Sequence, residues 1–215
     1  MLIAEATKPS LKNQTEKNLE EKATKIFSKY DKAFILQSTL NIDRVVSFYR
    51  ASKKAGKLFI MTKSCAKICA KLKNIPNPVI FHDCYVYVHK RVNPNERDEI
   101  KKVFKERFIG RNQIEEMQKF TMQINSKMLN YLQKMSGLNN SVLVYSMWQG
   151  YKGEMQTFLE GVKALGITTV DLHVSGHADV LSLRKIIEKT CPDKIELVHT
   201  LKEDKTLWKT LLKIK

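Results

Sequence analysis

The sequence predicts an α/β protein built on a largely parallel sheet. Short apolar, β-branched runs alternate with longer stretches whose apolar residues recur at helical spacing, the pattern of strand–helix–strand units. Polar or glycine-containing turns separate them, and neither an internal repeat nor a low-complexity segment interrupts the alternation. One unit carries most of the histidines. Residues 170–174 read as a short buried strand, and Ser175-Gly176-His177 breaks it. A helix follows, with Val180, Leu183, Ile186 and Ile187 on one face and Asp179 as its N-cap. Residues 195–198 then give a second strand that ends at His199. Parallel strands of such a unit end on one side, which predicts His177 and His199 on one rim, where open α/β sheets keep their sites.

The remaining elements follow in chain order. Residues 2–7 read as a strand and 8–14 as a polar loop. A helix over 15–30 carries Leu19, Ala23, Ile26 and Phe27 along one face. A buried strand at 33–37 runs into the turn Ser38-Thr39-Leu40-Asn41, then a helix with Ile42, Val45, Val46 and Tyr49 inward, closed by Gly56. Residues 58–62 form the next strand, with a helix through 72, and Asn74-Ile75-Pro76-Asn77-Pro78 is a break. Runs 79–81 and 85–88 are β-rich; His82 and His89 beside them read as structural or surface residues. After Asn93-Pro94-Asn95 the spacing predicts helices over 96–108 and 113–135, the second with Met117, Phe120, Ile124, Met128, Leu129 and Leu132 inward. Residues 142–145 are a strong strand, followed by the turn Ser146–Tyr151 and a helix with Met155, Phe158, Leu159, Val162 and Leu165, closed by Gly166. Residues 202–215 form a lysine-rich amphipathic helix with Leu207, Trp208, Leu211 and Leu212.

Charge and cysteine usage narrow the class of partner. Lys and Arg number 38 against 22 Asp and Glu, a net charge of +16, which favours a polyanion and most simply nucleic acid. The lysines are spread over every helix, however, and the run Lys101, Lys102, Lys105, Arg107, Arg111 reads as a solvated face. Cys65, Cys69, Cys84 and Cys191 show no disulfide-framework spacing and suit a reducing cytoplasm, with Cys65 and Cys69 as small core residues. Residues 1–7 do not read as a secretory leader, and no apolar run is long enough to span a bilayer. Two strand-to-helix turns suit a phosphate, because their backbone N–H groups point at the carboxyl edge of the sheet. They are the turn ending at Asn41 and the turn starting at Ser146, where Trp148 and Tyr151 offer either base stacking or packing between domains.

The stretch His173-Val174-Ser175-Gly176-His177-Ala178-Asp179, followed by a helix and then Leu197-Val198-His199-Thr200, resembles the metallo-β-lactamase-fold nucleases of the β-CASP group, among them RNase J and the RNA 3′-end-processing endonucleases. The resemblance runs along nearly the whole chain and matches the later portion of that architecture. It implies a Rossmann-like β-CASP domain over residues 10–166. The rest would be metallo-β-lactamase fold, a strand in residues 1–9 and the C-terminal part of the αββα sandwich in 167–215. It implies that His177 acts near the scissile phosphate as proton donor or phosphate contact, supported by Glu5, since a carboxylate beside an imidazole favours the proton-donating ring. Ser146, Asn41, Arg44, His173, Ser175 and Gly176 match positions that border the phosphate, and His199 matches a zinc ligand. A histidine rather than a valine at that last position implies RNA as substrate, and the expected partner is single-stranded RNA.

The family's metal centre also depends on an earlier His-x-His-x-Asp-His motif, a further His and a bridging Asp, and these 215 residues contain none of that set. Catalytic zinc needs about three protein ligands. The expectation is therefore part of a zinc-dependent, cytoplasmic RNA-processing nuclease, inactive alone. Its missing partner is an N-terminal metallo-β-lactamase half, and self-association is expected through the sheet face that half would cover. The alternatives are a noncatalytic RNA-binding module and a metallo-β-lactamase-fold hydrolase of small molecules.

Overall fold

The computed structural model describes residues 1–5, 10, 14–72, 74–77, 83–89 and 93–213. The expected strand at 79–81 and His82 lie outside the described residues, as does most of the loop 8–14. In chain order the elements are β1 (Leu2–Glu5), α1 (Glu16–Lys29), β2 (Lys32–Gln37), α2 (Ile42–Lys54), β3 (Leu58–Thr62), α3 (Lys63–Lys71), β4 (Cys84–Tyr87), α4 (Pro94–Phe104) and β5 (Phe108–Ile109). They continue with α5 (Arg111–Glu116), β6 (Phe120–Ile124), α6 (Leu129–Gln133), β7 (Ser141–Ser146), α7 (Gln156–Ala164), β8 (Thr168–Asp171), α8 (Val180–Thr190), β9 (Ile195–Val198) and α9 (Lys202–Leu212). By contacts the chain divides into two compact units, Glu16–His173, and Met1–Thr15 together with Val174–Lys215. Among the described residues no helix is long and apolar enough to cross a membrane.

The larger unit holds a seven-stranded sheet of order β5-β4-β3-β6-β2-β7-β8, and every pairing among the described residues is parallel. The α/β class expected from the sequence is what the structure has. β2, β6 and β7 are buried along their full length, as central strands covered on both faces must be. Phe34, Phe120, Met122, Leu143 and Tyr145 form the middle of the core, with the rings of Phe34 and Phe120 edge to face at 5.9 Å. α1 packs Leu19, Ala23 and Phe27 inward, and Phe27 meets Phe48 of α2 at 6.0 Å.

The smaller unit pairs β1 with β9 in parallel, Leu2 opposite Ile195 and Glu5 opposite Val198. Ala4, Leu197, Val180, Leu183, Trp208 and Leu212 make its core. Asp179 caps α8 by accepting from Ser182 N at 2.7 Å, as the sequence predicts. Arg184 donates to the Leu211 carbonyl through Nε and Nη2, which ties α8 to the end of α9.

Several expectations are corrected. The stretch 113–135 is not one helix. α5 ends at Glu116, and Phe120–Ile124 becomes β6, wedged between β3 and β2. A strand buried on both faces shows no alternation, and its Phe120 and Ile124 happen to fall four apart, so periodicity could not separate the two states. The helix expected to reach 108 stops at Phe104, since Phe108 and Ile109 pair with β4 as β5. The strand expected at 170–174 lies at Thr168–Asp171, and it is an exposed sheet edge rather than a buried strand. β8 and β9 also belong to different sheets, so they form no strand–helix–strand unit. Ile186, expected inward, is 42% exposed.

Two predictions follow from this packing. Phe120→Ala, at a fully buried position of β6, is expected to cost about 3–5 kcal/mol, whereas Gln118→Ala on the exposed approach stays within about 0.5 kcal/mol; urea denaturation distinguishes them. The second concerns Lys57, whose ammonium donates to the carbonyls of Tyr30 and Asp31. Burial pushes its pKa from 10.5 down to about 8, against the pull of Asp31 and with the help of Lys119. Between those two values the unfolded chain binds more protons than the folded one, so the Lys57 contribution to stability rises from pH 8 to 10.5 and is flat below. Urea midpoints at both ends of that window are expected to show a smaller rise for Lys57→Met than for the natural chain.

Candidate functional site

The order of the strands fixes where a site can sit. β2 leads to β3 on one side of the sheet, while its neighbour β7 leads to β8 on the other. Where adjacent connections diverge, a crevice opens at the carboxyl ends of the strands. Gln37 ends β2, Ser146 ends β7, and the two face each other in register.

A polar cluster occupies this crevice. Asn41 caps α2 by accepting from Arg44 N at 3.0 Å, which sets Arg44 in the first turn. The Arg44 side chain is 2% exposed, and the helix dipole disfavours a cation at that end. Glu16 offsets both penalties. Its carboxylate receives Arg44 Nε at 2.9 and 3.0 Å and Nη2 at 2.8 Å, and it also accepts from Ser47 Oγ at 3.0 Å. Arg44 Nη1 donates to Ser146 Oγ at 2.7 Å and lies 3.4 Å from His173 Nδ1. A guanidinium only donates, so Nδ1 accepts in that contact and the His173 proton sits on Nε2. Ser146 is buried and His173 exposed. Gln37 is 7% exposed, and neither carboxamide atom has a hydrogen-bond partner among the described residues. Such a buried group calls for a partner. Beyond Ser146 the rings of Trp148 and Tyr151 meet edge to face at 5.4 Å, 63% and 43% exposed. A Cβ at Gly150 would come within 2.1 Å of the Trp148 ring as it lies here, so glycine lets that ring fold back over the backbone.

The smaller unit brings together the other predicted residues. His177 precedes α8, and its backbone N–H reaches Ser175 Oγ at 3.2 Å. His199 follows β9 with a left-handed φ of 57°, a conformation that costs a non-glycine residue about 1–3 kcal/mol and tends to mark functional positions. The two imidazoles lie 5.7 Å apart, centroid to centroid. Glu5 ends the paired strand opposite Val198, one residue before His199. Gly176 is exposed, and a Cβ there would meet nothing within 4 Å. His89 is exposed at the end of β4. Cys65 and Cys69 are buried with sulfurs 4.0 Å apart, and the neighbouring thiol together with burial pushes Cys65 up, which keeps it protonated.

These residues do not make a metal centre. Among the described residues no three His, Cys, Asp or Glu side chains converge to hold an ion, whereas catalytic zinc needs about three. The predicted positions therefore fall into two groups, Asn41, Arg44, Ser146 and His173 in one unit, and His177, His199 and the Glu5 backbone in the other. Sequence reasoning missed Glu16, Ser47 and Gln37. Glu16 meets Arg44 across 28 positions of chain, a separation that carries no local signal.

Residues 160–213 match the family described as the Zn-dependent metallo-hydrolase RNA specificity domain. That domain, running from within α7 to the end of α9, is consistent with the metallo-β-lactamase/β-CASP resemblance. No curated protein matches the chain.

Removing the charge of Glu16 strands a buried guanidinium. Glu16→Gln is expected to cost about 3 kcal/mol in urea denaturation, and adding Arg44→Met is expected to recover most of that loss, because an apolar replacement of both partners removes the uncompensated charge.

Proposed function

We propose that this chain is part of a zinc-dependent β-CASP ribonuclease that hydrolyses phosphodiester bonds in single-stranded RNA. The observation that carries this reading is the His177–His199 pair at the carboxyl end of the β1–β9 sheet, inside the RNA specificity domain. Residues 10–166 act as the β-CASP domain. Ser146 and the Nε2–H of His173 contact phosphate oxygens, and Arg44, locked by Glu16, positions both rather than touching RNA itself. Asn41 holds Arg44 in place through the cap, and the exposed Trp148 and Tyr151 stack on bases. His177 gives a proton to the leaving oxygen, supported by Glu5, with Ser175 and Gly176 shaping its loop. His199 is this chain's one metal ligand; the others belong to an N-terminal metallo-β-lactamase half.

The test compares zinc content and cleavage of a labelled single-stranded RNA, for the chain alone and for the chain joined to such a half. Only the joined protein is expected to hold metal and cut. His177→Ala is expected to lower its cleavage at least about 100-fold with zinc content unchanged. Retention of RNA with steep salt dependence and no metal in either protein would instead make this a noncatalytic RNA-binding module. Absence of RNA binding alongside hydrolysis of small esters would make it a hydrolase of small molecules.

A further inference from the structure

The sheet has a second point of divergence. β3 leads outward to β4, while its neighbour β6 leads the other way to β7. At the carboxyl ends of these strands lies a cavity of about 1130 Å³, lined by the start of α3 at one side and by the β6-to-α6 connection at the other. The same topological rule that places the Arg44 cluster between β2 and β7 places a binding crevice here. The volume matches that of sites for small organic ligands, which run to about 1,000 Å³.

The lining is cationic. Arg97, Lys127 and Lys134 are exposed on it and make no ion pair among the described residues. The carboxylate on the lining, Glu115, is held by Arg111 at 2.6 Å. An aromatic wall stands beside these cations. Tyr87 and Tyr131 pack with ring centroids 5.1 Å apart, and the Arg111 guanidinium lies 5.8 Å from the Tyr131 ring. The Tyr131 hydroxyl is buried and has no hydrogen-bond partner among the described residues. Burial, with Tyr87 beside it, holds that phenol above its ordinary range, so it keeps its proton as a donor. A cavity that joins these cations to an aromatic wall and a buried phenol suits a molecule that is anionic at one end and a flat polar ring at the other.

We infer that this cavity is a second nucleotide-binding site, separate from the Arg44 cluster, which takes a phosphate on Lys127 and Lys134 and a base against Tyr131. It goes beyond the proposed nuclease reading, since it needs neither metal nor cleavage. The nucleotide comes either free or as one residue of a single strand, and the two sources differ in what they require of the ligand.

The test measures the affinity of the full chain for AMP, by calorimetry, and for a fluorescent ten-nucleotide oligoadenylate, by anisotropy, over a range of salt. Lys127→Ala with Lys134→Ala is expected to weaken oligonucleotide binding at least about tenfold and to reduce its salt slope by about two. Tyr131→Phe keeps the ring and is expected to weaken binding several-fold by losing the hydroxyl. Lys25→Ala with Lys71→Ala removes the same charge from exposed positions elsewhere and is expected to change affinity less than twofold. Saturable AMP binding that the Lys127/Lys134 pair abolishes identifies a free nucleotide as ligand. Loss for the oligonucleotide alone identifies a strand. Equal losses from the two lysine pairs, or no loss from the Lys127/Lys134 pair, overturn the inference. AMP affinity is read on the chain alone and without metal, whatever the joined protein does to RNA, so failure here is distinguishable from failure of the nuclease reading.

Discussion

A guanidinium removed from water has to be matched by a carboxylate at close range, and the arrangement around Arg44 follows from that requirement. The match does not come from its own helix, whose first turn disfavours a cation. It comes from Glu16 at the start of α1, which fixes how α1 lies against α2. The remaining donor then reaches the end of β7 and the residue that closes the unit, so Ser146 and His173 inherit their positions from the same pair. One buried charge thus holds two helices, a strand end and a loop in a single geometry. The net gain in stability from such a pair is small, because Arg44 is desolvated; its value lies in specifying one arrangement.

Much of the fold was legible in the sequence. β3 runs over the residues expected, β2, β7 and α8 agree to within a residue or two, and the Asp179 cap and the left-handed Gly56 and Gly166 stand where the turns predicted them. The missed central strand has one cause, namely that local pattern does not reveal burial on two faces. Phe120–Ile124 carries Thr121 and Gln123 in the middle of the sheet, and their polarity, with helical spacing around them, disguised a central strand. Thr121 bonds with Ser52 and the Leu58 carbonyl, and the Gln123 Oε1 accepts from Thr62 N, partners contributed by other elements. The same blindness hid the cavity beside β6, since Lys127, Tyr131 and Lys134 fall within the stretch 113–135 expected as one helix. In the Arg44 cluster the serine, arginine and histidine were legible by resemblance, but the carboxylate that organises them was not, because their association is wholly tertiary.

Under the proposed reading, the chain separates holding an RNA from cutting it. Hydroxyl, imidazole and aromatic groups suited to phosphates and bases are gathered in the larger unit, and a histidine pair stands in the smaller one. Neither assembles the ligands of a hydrolytic metal from the described residues. Under the proposed reading, grip and proton transfer are encoded here and the activation of water elsewhere. RNA occupancy and turnover then respond to different substitutions.

The position of β6 has a consequence for how the molecule reaches its folded form. β2 and β3 follow one another in the chain yet never pair, because the slot between them belongs to a strand that comes nearly sixty positions later. During synthesis the early strands emerge with facing edges unsatisfied, and hydrophobic Phe34, Ile35, Ile60 and Met61 beside them have no sheet to join. Placing Phe120–Ile124 between β2 and β3 is a long-range step, of the kind that slows folding relative to adding strands in turn. A nascent chain in that interval is open to edge-to-edge association, and its yield in the cell depends on how quickly the gap is closed.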